Sequence, residues 1–144
     1  EYADLIYASH CVEYFDRDEV IKVLREWKRV LVPGGTLRLA VPNFEALMKV
    51  YLDSNDLNKI LGPLYGKWNI GEDRHIYHKT VYDLESLTVL LKQIGFEQVR
   101  EWSWKDIFSN QTDFDDHSQA YYPHMDKEKG LLISLNVEAT TPKL

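Results

Sequence analysis

The chain has 144 residues, 44% of them hydrophobic, enough for a domain that buries roughly two-thirds of the surface its unfolded form exposes. With 17 Lys and Arg against 23 Asp and Glu, the net charge is −6, which argues against non-specific binding to nucleic acid or to anionic membranes. One cysteine, Cys11, excludes an intramolecular disulfide and a zinc site built on several thiolates, and fits a reduced, cytoplasmic setting. No apolar stretch approaches the roughly 20 residues of a spanning helix, and there is no signal-peptide pattern. These features predict a single domain over residues 1–144. The first residue is Glu1, not Met, and a strand-like run follows at once, as in a cut through a larger fold.

Leu5-Ile6-Tyr7-Ala8 is a β-prone run without polar alternation, the pattern of a strand covered on both faces. Asp16 opens a helix with Glu19 three residues on, as in a capping box, and Val20, Leu24, Trp27 and Leu31 recur at helical spacing. Lys28 and Arg29 suit its last turn, and Pro33-Gly34-Gly35 stops it. A second strand is expected from Thr36 to Val41, with Leu37, Leu39 and Val41 on one face. Asn43 then caps a helix carrying Phe44, Leu47, Met48 and Tyr51, broken at Asp53-Ser54-Asn55 and resumed from about Asp56 to Leu61. The stretch from Gly62 to Thr80 reads as a long loop, a feature more often functional than structural. Asp83 caps a third helix with Leu84, Leu87, Leu90, Leu91 and Ile94 as its stripe and Gly95 as its stop. Phe96 to Trp104 is expected as a strand, followed by an acidic, aromatic loop and a closing strand in which Leu131, Ile133, Leu135, Val137 and Ala139 alternate with Leu132, Ser134, Asn136 and Glu138. Strands alternating with helices imply an α/β sheet, and the last two strands, with no helix between them, imply an antiparallel pair.

The run Asp4 to Tyr14 (DLIYASHCVEY) closely resembles the fourth-strand region of class I S-adenosylmethionine-dependent methyltransferases, with Val12 and Tyr14 standing where that family usually has Leu and His. Leu31-Val32-Pro33-Gly34-Gly35-Thr36-Leu37 matches the family's turn before its fifth strand, and Val41-Pro42-Asn43 the end of that strand. Glu72-Asp73-Arg74-His75, then Asp83 to Leu87 and Gly95-Phe96, resemble its later lid and helix, so the likeness covers most of residues 1–104. It implies a partial Rossmann-like sheet of about four strands with flanking helices. Two of these strands are parallel, and the last inserts antiparallel, giving the order one, two, four, three. The family's cofactor is S-adenosylmethionine, held by a Gly-rich turn after the first strand and an acidic residue after the second. None of the seven glycines here forms a G-x-G turn after a strand. The expectation is therefore the C-terminal half of the fold, lacking the cofactor-binding half and binding no cofactor alone.

Ligands of an open α/β sheet sit outside the carboxyl ends of its parallel strands. By resemblance, Ser9 and His10 form a residual cofactor wall there, with His10 a candidate general base whose pKa lies near neutral, against the alternative of a strand-end hydrogen bond. Asn43, and His75, Tyr77 and His78 in the long loop, are the candidate substrate contacts. A metal site on His75 and His78 with Asp73 or His117 is weighed against ordinary surface histidines, which are commoner. Trp102, Trp104, Tyr121 and Tyr122 suit sheet covering better than a substrate wall, and Asp113, Asp115 and Asp116 lack a calcium-loop motif. Three functions compete: an incomplete methyltransferase, a non-catalytic binding or assembly module that reuses the fold, and a metal enzyme built on the loop histidines. Without the first three family strands, the edge of Leu5–Ser9 is unpaired, which predicts a homodimer joined edge to edge about a two-fold axis, or pairing with a missing N-terminal half.

Overall fold

A computed structural model of the protein describes residues 2–111 and 113–144; Glu1 lies outside them. In chain order the elements are β1 (Ala3–Ser9), α1 (Glu19–Val30), β2 (Leu31–Pro42), α2 (Phe44–Ser54), α3 (Asn58–Tyr65), β3 (Trp68–Gly71), β4 (Arg74–Ile76), α4 (Leu84–Ile94), β5 (Glu97–Glu101), α5 (Trp104–Ile107), β6 (Tyr121–Tyr122), β7 (Leu131–Leu132) and β8 (Ser134–Thr140). The main sheet runs β1-β2-β8-β5, which is the order one, two, four, three expected from the resemblance. β1 and β2 are parallel, while β8 lies antiparallel to both of its neighbours.

One face of the sheet carries the core. Leu37, Leu39 and Val41 of β2 and Leu135, Val137 and Ala139 of β8 pack under Val20 and Leu24 of α1 and Leu87 and Leu91 of α4. The helices form where their caps direct. Asp16 Oδ1 accepts from the amides of Asp18 and Glu19 at 2.8 Å, while Glu19 Oε1 accepts from the Asp16 amide, a reciprocal box at the entry to α1. Asp83 and Ser86 make the same box for α4, and Gly95, at φ 101, ends it in the left-handed region.

The opposite face is covered too. Ser134, Asn136 and Glu138 point there by strand alternation, and all three are buried. Trp102 lies over this face, its Nε1 donating to the Leu39 carbonyl at 2.9 Å and its ring meeting Tyr7 edge-on. Glu138 accepts from Arg38 on one side and Arg100 on the other, each at 2.9 Å. A smaller apolar cluster of Leu47, Val50 and Ile60 joins α2 to α3.

Several expectations are corrected. β1 is not covered on both faces, with Leu5 46% exposed, and it stands at the edge of the sheet, as the resemblance implied. Leu31 is extended and starts β2, since α1 ends at Val30, and Pro33, Gly34 and Gly35, expected as a turn before a strand from Thr36, lie within β2. The expected loop from 62 to 80 contains the end of α3 and the hairpin β3–β4. Glu72 and Asp73 both take positive φ at its tip, the conformation a tight two-residue hairpin requires. The expected strand from Phe96 to Trp104 stops at Glu101, and Trp104 opens the short α5. Leu131 and Leu132 leave the closing strand to pair with Tyr121 and Tyr122.

Candidate functional site

Strand register brings three chain segments to one end of the sheet. Ser9 of β1 lies opposite Ala40, and Pro42 of β2 opposite Ser134 of β8. His10 leaves β1 with φ 50, a left-handed conformation uncommon for a non-glycine residue, while its amide donates to the Ala40 carbonyl at 2.7 Å. This turn sets its ring beside β8, with Nε2 2.9 Å from Ser134 Oγ.

A hydrogen-bonded chain continues from there. Ser134 Oγ donates to Asn136 Oδ1 at 2.8 Å, and Asn136 Nδ2 donates to the Ser118 carbonyl at 2.9 Å. Asp116 accepts from the Ser118 amide at 2.9 Å and from the hydroxyls of Ser118 and Tyr7. The His117 ring meets His10 edge-on, centroids 5.2 Å apart. Burial and the neighbouring His117 push the His10 pKa down to about 3, so this imidazole is neutral at physiological pH. Burial works to raise the Asp116 carboxyl, but the donated hydrogen bonds outweigh it and hold the group below its ordinary range. Ser9 Oγ is buried without a partner.

A second polar group lies just beyond. Glu13 is fully buried, and neither of its carboxylate oxygens has a hydrogen-bond partner; the Tyr82 hydroxyl is buried and unpartnered as well. Burial pushes Glu13 up to about 7, and burial followed by the Glu13 charge pushes Tyr82 up to about 12. His78 Nε2 stands 4.0 Å from Glu13 Oε1, while its Nδ1 is 3.1 Å from the Leu64 carbonyl and must donate to it. Burial draws the His78 pKa downward. A Cβ on Gly66 would sit 2.6 Å from the His78 ring, so glycine at φ 84 is what lets this ring dock. Tyr14 lies edge-on to both His78 and Trp68, tying the hairpin to the end of β1.

The structure thus gathers some candidate residues and separates others. Ser9 and His10 share the strand end with His117, Ser134 and Asn136. Asn43 caps α2, its side chain accepting from the Glu45 amide at 3.1 Å. His75 and Tyr77 are exposed, whereas His78 turns inward, so the two histidines of the metal alternative part company. Among the described residues, no group of three or more His, Cys, Asp or Glu is placed to hold a metal ion. Asp116 receives three hydrogen bonds and Asp115 faces Lys127 at 3.7 Å, which leaves the calcium alternative without a cluster. Trp102 is sheet-covering, as expected. Sequence reasoning missed Glu13, Tyr82, Ser118, Ser134 and Asn136. The one available signal was the pair of small polar residues at i and i+2 on a strand otherwise fit for burial.

Comparison with known proteins now adds to this geometry. A family model described as a methyltransferase domain matches residues 1–39, the span of β1, α1 and most of β2. A SAM-dependent methyltransferase from Methanosarcina mazei superposes with a TM-score of 0.53 at 18% identity, over 98% of this chain and 60% of that one. The fold is that of the class I methyltransferases. An O-methyltransferase family protein from Burkholderia thailandensis gives a TM-score of 0.53 at 13% identity, over 99% of this chain and 31% of its own. A methyltransferase from Haloferax volcanii, solved with the Trm112 methyltransferase activator, gives 0.52 at 15% identity, over 99% and 55%. The chain therefore spans between 31% and 60% of the length of these three methyltransferase-fold structures. No curated protein matches the sequence. The resemblance to class I methyltransferases thus holds by family model over the first strand–helix–strand unit and by fold over nearly the whole chain. No helix among the described residues is long and apolar enough to cross a membrane.

Proposed function

We propose that residues 1–144 form one domain, the C-terminal and acceptor-side half of an S-adenosylmethionine-dependent methyltransferase that is incomplete as this isolated chain. The observation that carries this is the convergence of Ser9, His10 and Pro42 at the carboxyl ends of two parallel strands, where ligands of such sheets bind. His10, neutral and ordered, is the candidate base toward an acceptor, and the hairpin bearing His75 and Tyr77, anchored through His78, is the candidate lid. Asn43 contributes at the mouth through the start of α2.

The cofactor fits this chain in part. The buried, unpartnered Ser9 Oγ suits the wall of a cofactor cleft. A glycine turn that would let backbone amides cradle the ligand is not among the 144 residues. Cofactor affinity therefore belongs to an assembly with an N-terminal half. Calorimetric titration of the chain with S-adenosylmethionine and S-adenosylhomocysteine tests this. No heat is expected; binding at micromolar strength, about −8 kcal/mol, would show that the chain holds a cofactor site by itself.

A second reading rests on β1, which pairs with β2 on one side and with nothing among the described residues on the other. An unpaired edge invites a strand, either from an N-terminal half or from a second copy, and two copies about a two-fold axis would meet antiparallel. In this reading the chain is a non-catalytic assembly module, a homodimer through Leu5–Ser9. The charge of −6 and the lone cysteine support a cytoplasmic protein that uses neither nucleic acid nor membrane as partner.

A further inference from the structure

The Glu13 carboxyl lies off the chain of bonds that runs from His10 to Asp116, and it has no lasting cation beside it. It is 0% exposed, and its one charge partner among the described residues is His78, whose Nε2 stands 4.0 Å from Oε1. The Glu13 amide favours its charge, but burial outweighs it. Cys11, Tyr14 and Tyr82 also face the carboxyl; burial and then the Glu13 charge raise all three, so each keeps its proton when Glu13 loses its own. Lys79 is no counter-ion, since its Nζ reaches away to Glu19 at 3.1 Å.

His78 brings a lone pair to this carboxyl. Its Nδ1 donates to the Leu64 carbonyl at 3.1 Å, so in the neutral ring Nε2 can only accept. Burial, and then the field of His117, keep the ring from taking a proton of its own, and His10 lies in the same field. A protonated Glu13 therefore offers Nε2 an O–H, whereas an ionised one sets a bare charge against a lone pair away from water. The same residue closes the neck of the β3–β4 hairpin: the His78 amide donates to the Tyr65 carbonyl and the Lys79 amide to the Glu13 carbonyl, each at 2.8 Å. Beyond this neck residues 67–75 are all exposed, and apart from Trp68 against Tyr14 the arm buries little that would hold it. We infer that Glu13 and His78 share a single proton, and that this proton latches the β3–β4 hairpin against the end of β1. Its loss leaves an unpaired charge in the joint, and the neck opens to let water reach the carboxylate. Once open, Glu13 returns to the ordinary carboxyl range, so opening gains ground as pH climbs from 4.5 to about 7 and levels off beyond. The latch governs access to the strand end and does not depend on methyl transfer.

Hydrogen exchange of the 144-residue chain, followed by mass spectrometry, tests the latch. In peptides covering residues 66–80, protection corrected for the intrinsic pH dependence of exchange should fall about 70-fold from pH 5 to pH 8, the ratio implied by a carboxyl that moves between 4.5 and 7. Protection there should also stay below that of α4 at both pH values, because the neck opens while the rest of the fold is intact. Glu13→Gln, whose side-chain amide can donate to Nε2 at every pH, should show no such fall. Parent protection that does not change with pH would overturn the latch, whether or not the variant folds. Neck protection equal to that of α4 would overturn it too, since the hairpin would then come free only when the whole chain unfolds. So would a Glu13→Gln chain that still loses neck protection as pH rises. These readouts need no cofactor, so their failure is distinct from failure of the methyl-transfer reading, which the calorimetry decides.

Discussion

His10 and Glu13 lie three positions apart just beyond the end of β1, and their protonation pulls stability in opposite directions. The Glu13 carboxyl, raised from 4.5 to about 7, keeps a proton that the unfolded chain gives up in that window. Stability contributed at this site is therefore present below 4.5 and lost as pH rises through 7. His10, lowered from 6.5 to about 3, refuses a proton that the unfolded chain accepts, so its contribution is lost as pH falls from 6.5 toward 3. Glu13→Gln removes the first effect and leaves the second. At pH 4 the variant should match the parent; at pH 8 it should be more stable by about 3 kcal/mol, taking about 1.4 kcal/mol per tenfold change in proton affinity. Urea unfolding at the two pH values measures this. Equal stability differences at both would mean that Glu13 is ionised in the folded chain at neutral pH.

At the scale of elements, Asn43 separates two roles. Its side chain is spent on the Glu45 amide, so Asn43→Ala should cost about 1 kcal/mol in thermal or chemical unfolding, and Asn43→Asp, which caps as well, almost nothing. An alanine variant of full stability would free the side chain for a ligand instead. The same element shows what a sequence discloses. Asn43, Asp83 and Gly95 are local signals, read correctly because caps are made by residues two to four positions apart. β2 was legible from Leu37, Leu39 and Val41 for the same reason. The β3–β4 hairpin was hidden because Trp68 and Ile70 are exposed, so no burial pattern marks the strands. Tyr7 and Asp116 meet across 109 positions, and nothing near either residue announces the other. The strand-end location of His10 could be read; its partners could not.

The whole molecule presents the outer edge of β1 at the opposite end of the main sheet from β5. Leu5 lies on it, 46% exposed, and contributes little to the core. Leu5→Lys should leave unfolding within about 0.5 kcal/mol of the parent while placing charge on the edge, as natural edge strands do. If two copies pair through this strand, sedimentation should find a dimer for the parent and a monomer for the variant. A parent that sediments as a monomer at all concentrations would remove the self-pairing reading and leave an N-terminal half as the strand's partner.

The placement of β8 has a consequence for how the chain is made. It is the last strand in sequence and an interior strand of the sheet, lying between β2 and β5. A ribosome delivers β2 and β5 well before it, so the two have no shared neighbour while the nascent chain is growing. Hydrophobic surface on β2, with Leu37 and Leu39 among the most buried residues of the finished fold, must wait for residues 134–140 to emerge. Contacts of such long sequence separation form slowly and expose a growing chain to misassembly. Synthesis halted at residue 130 would yield a polypeptide in which β1 and β2 could still pair but β5 would have no strand beside it, a substrate for chaperones rather than a smaller version of the protein.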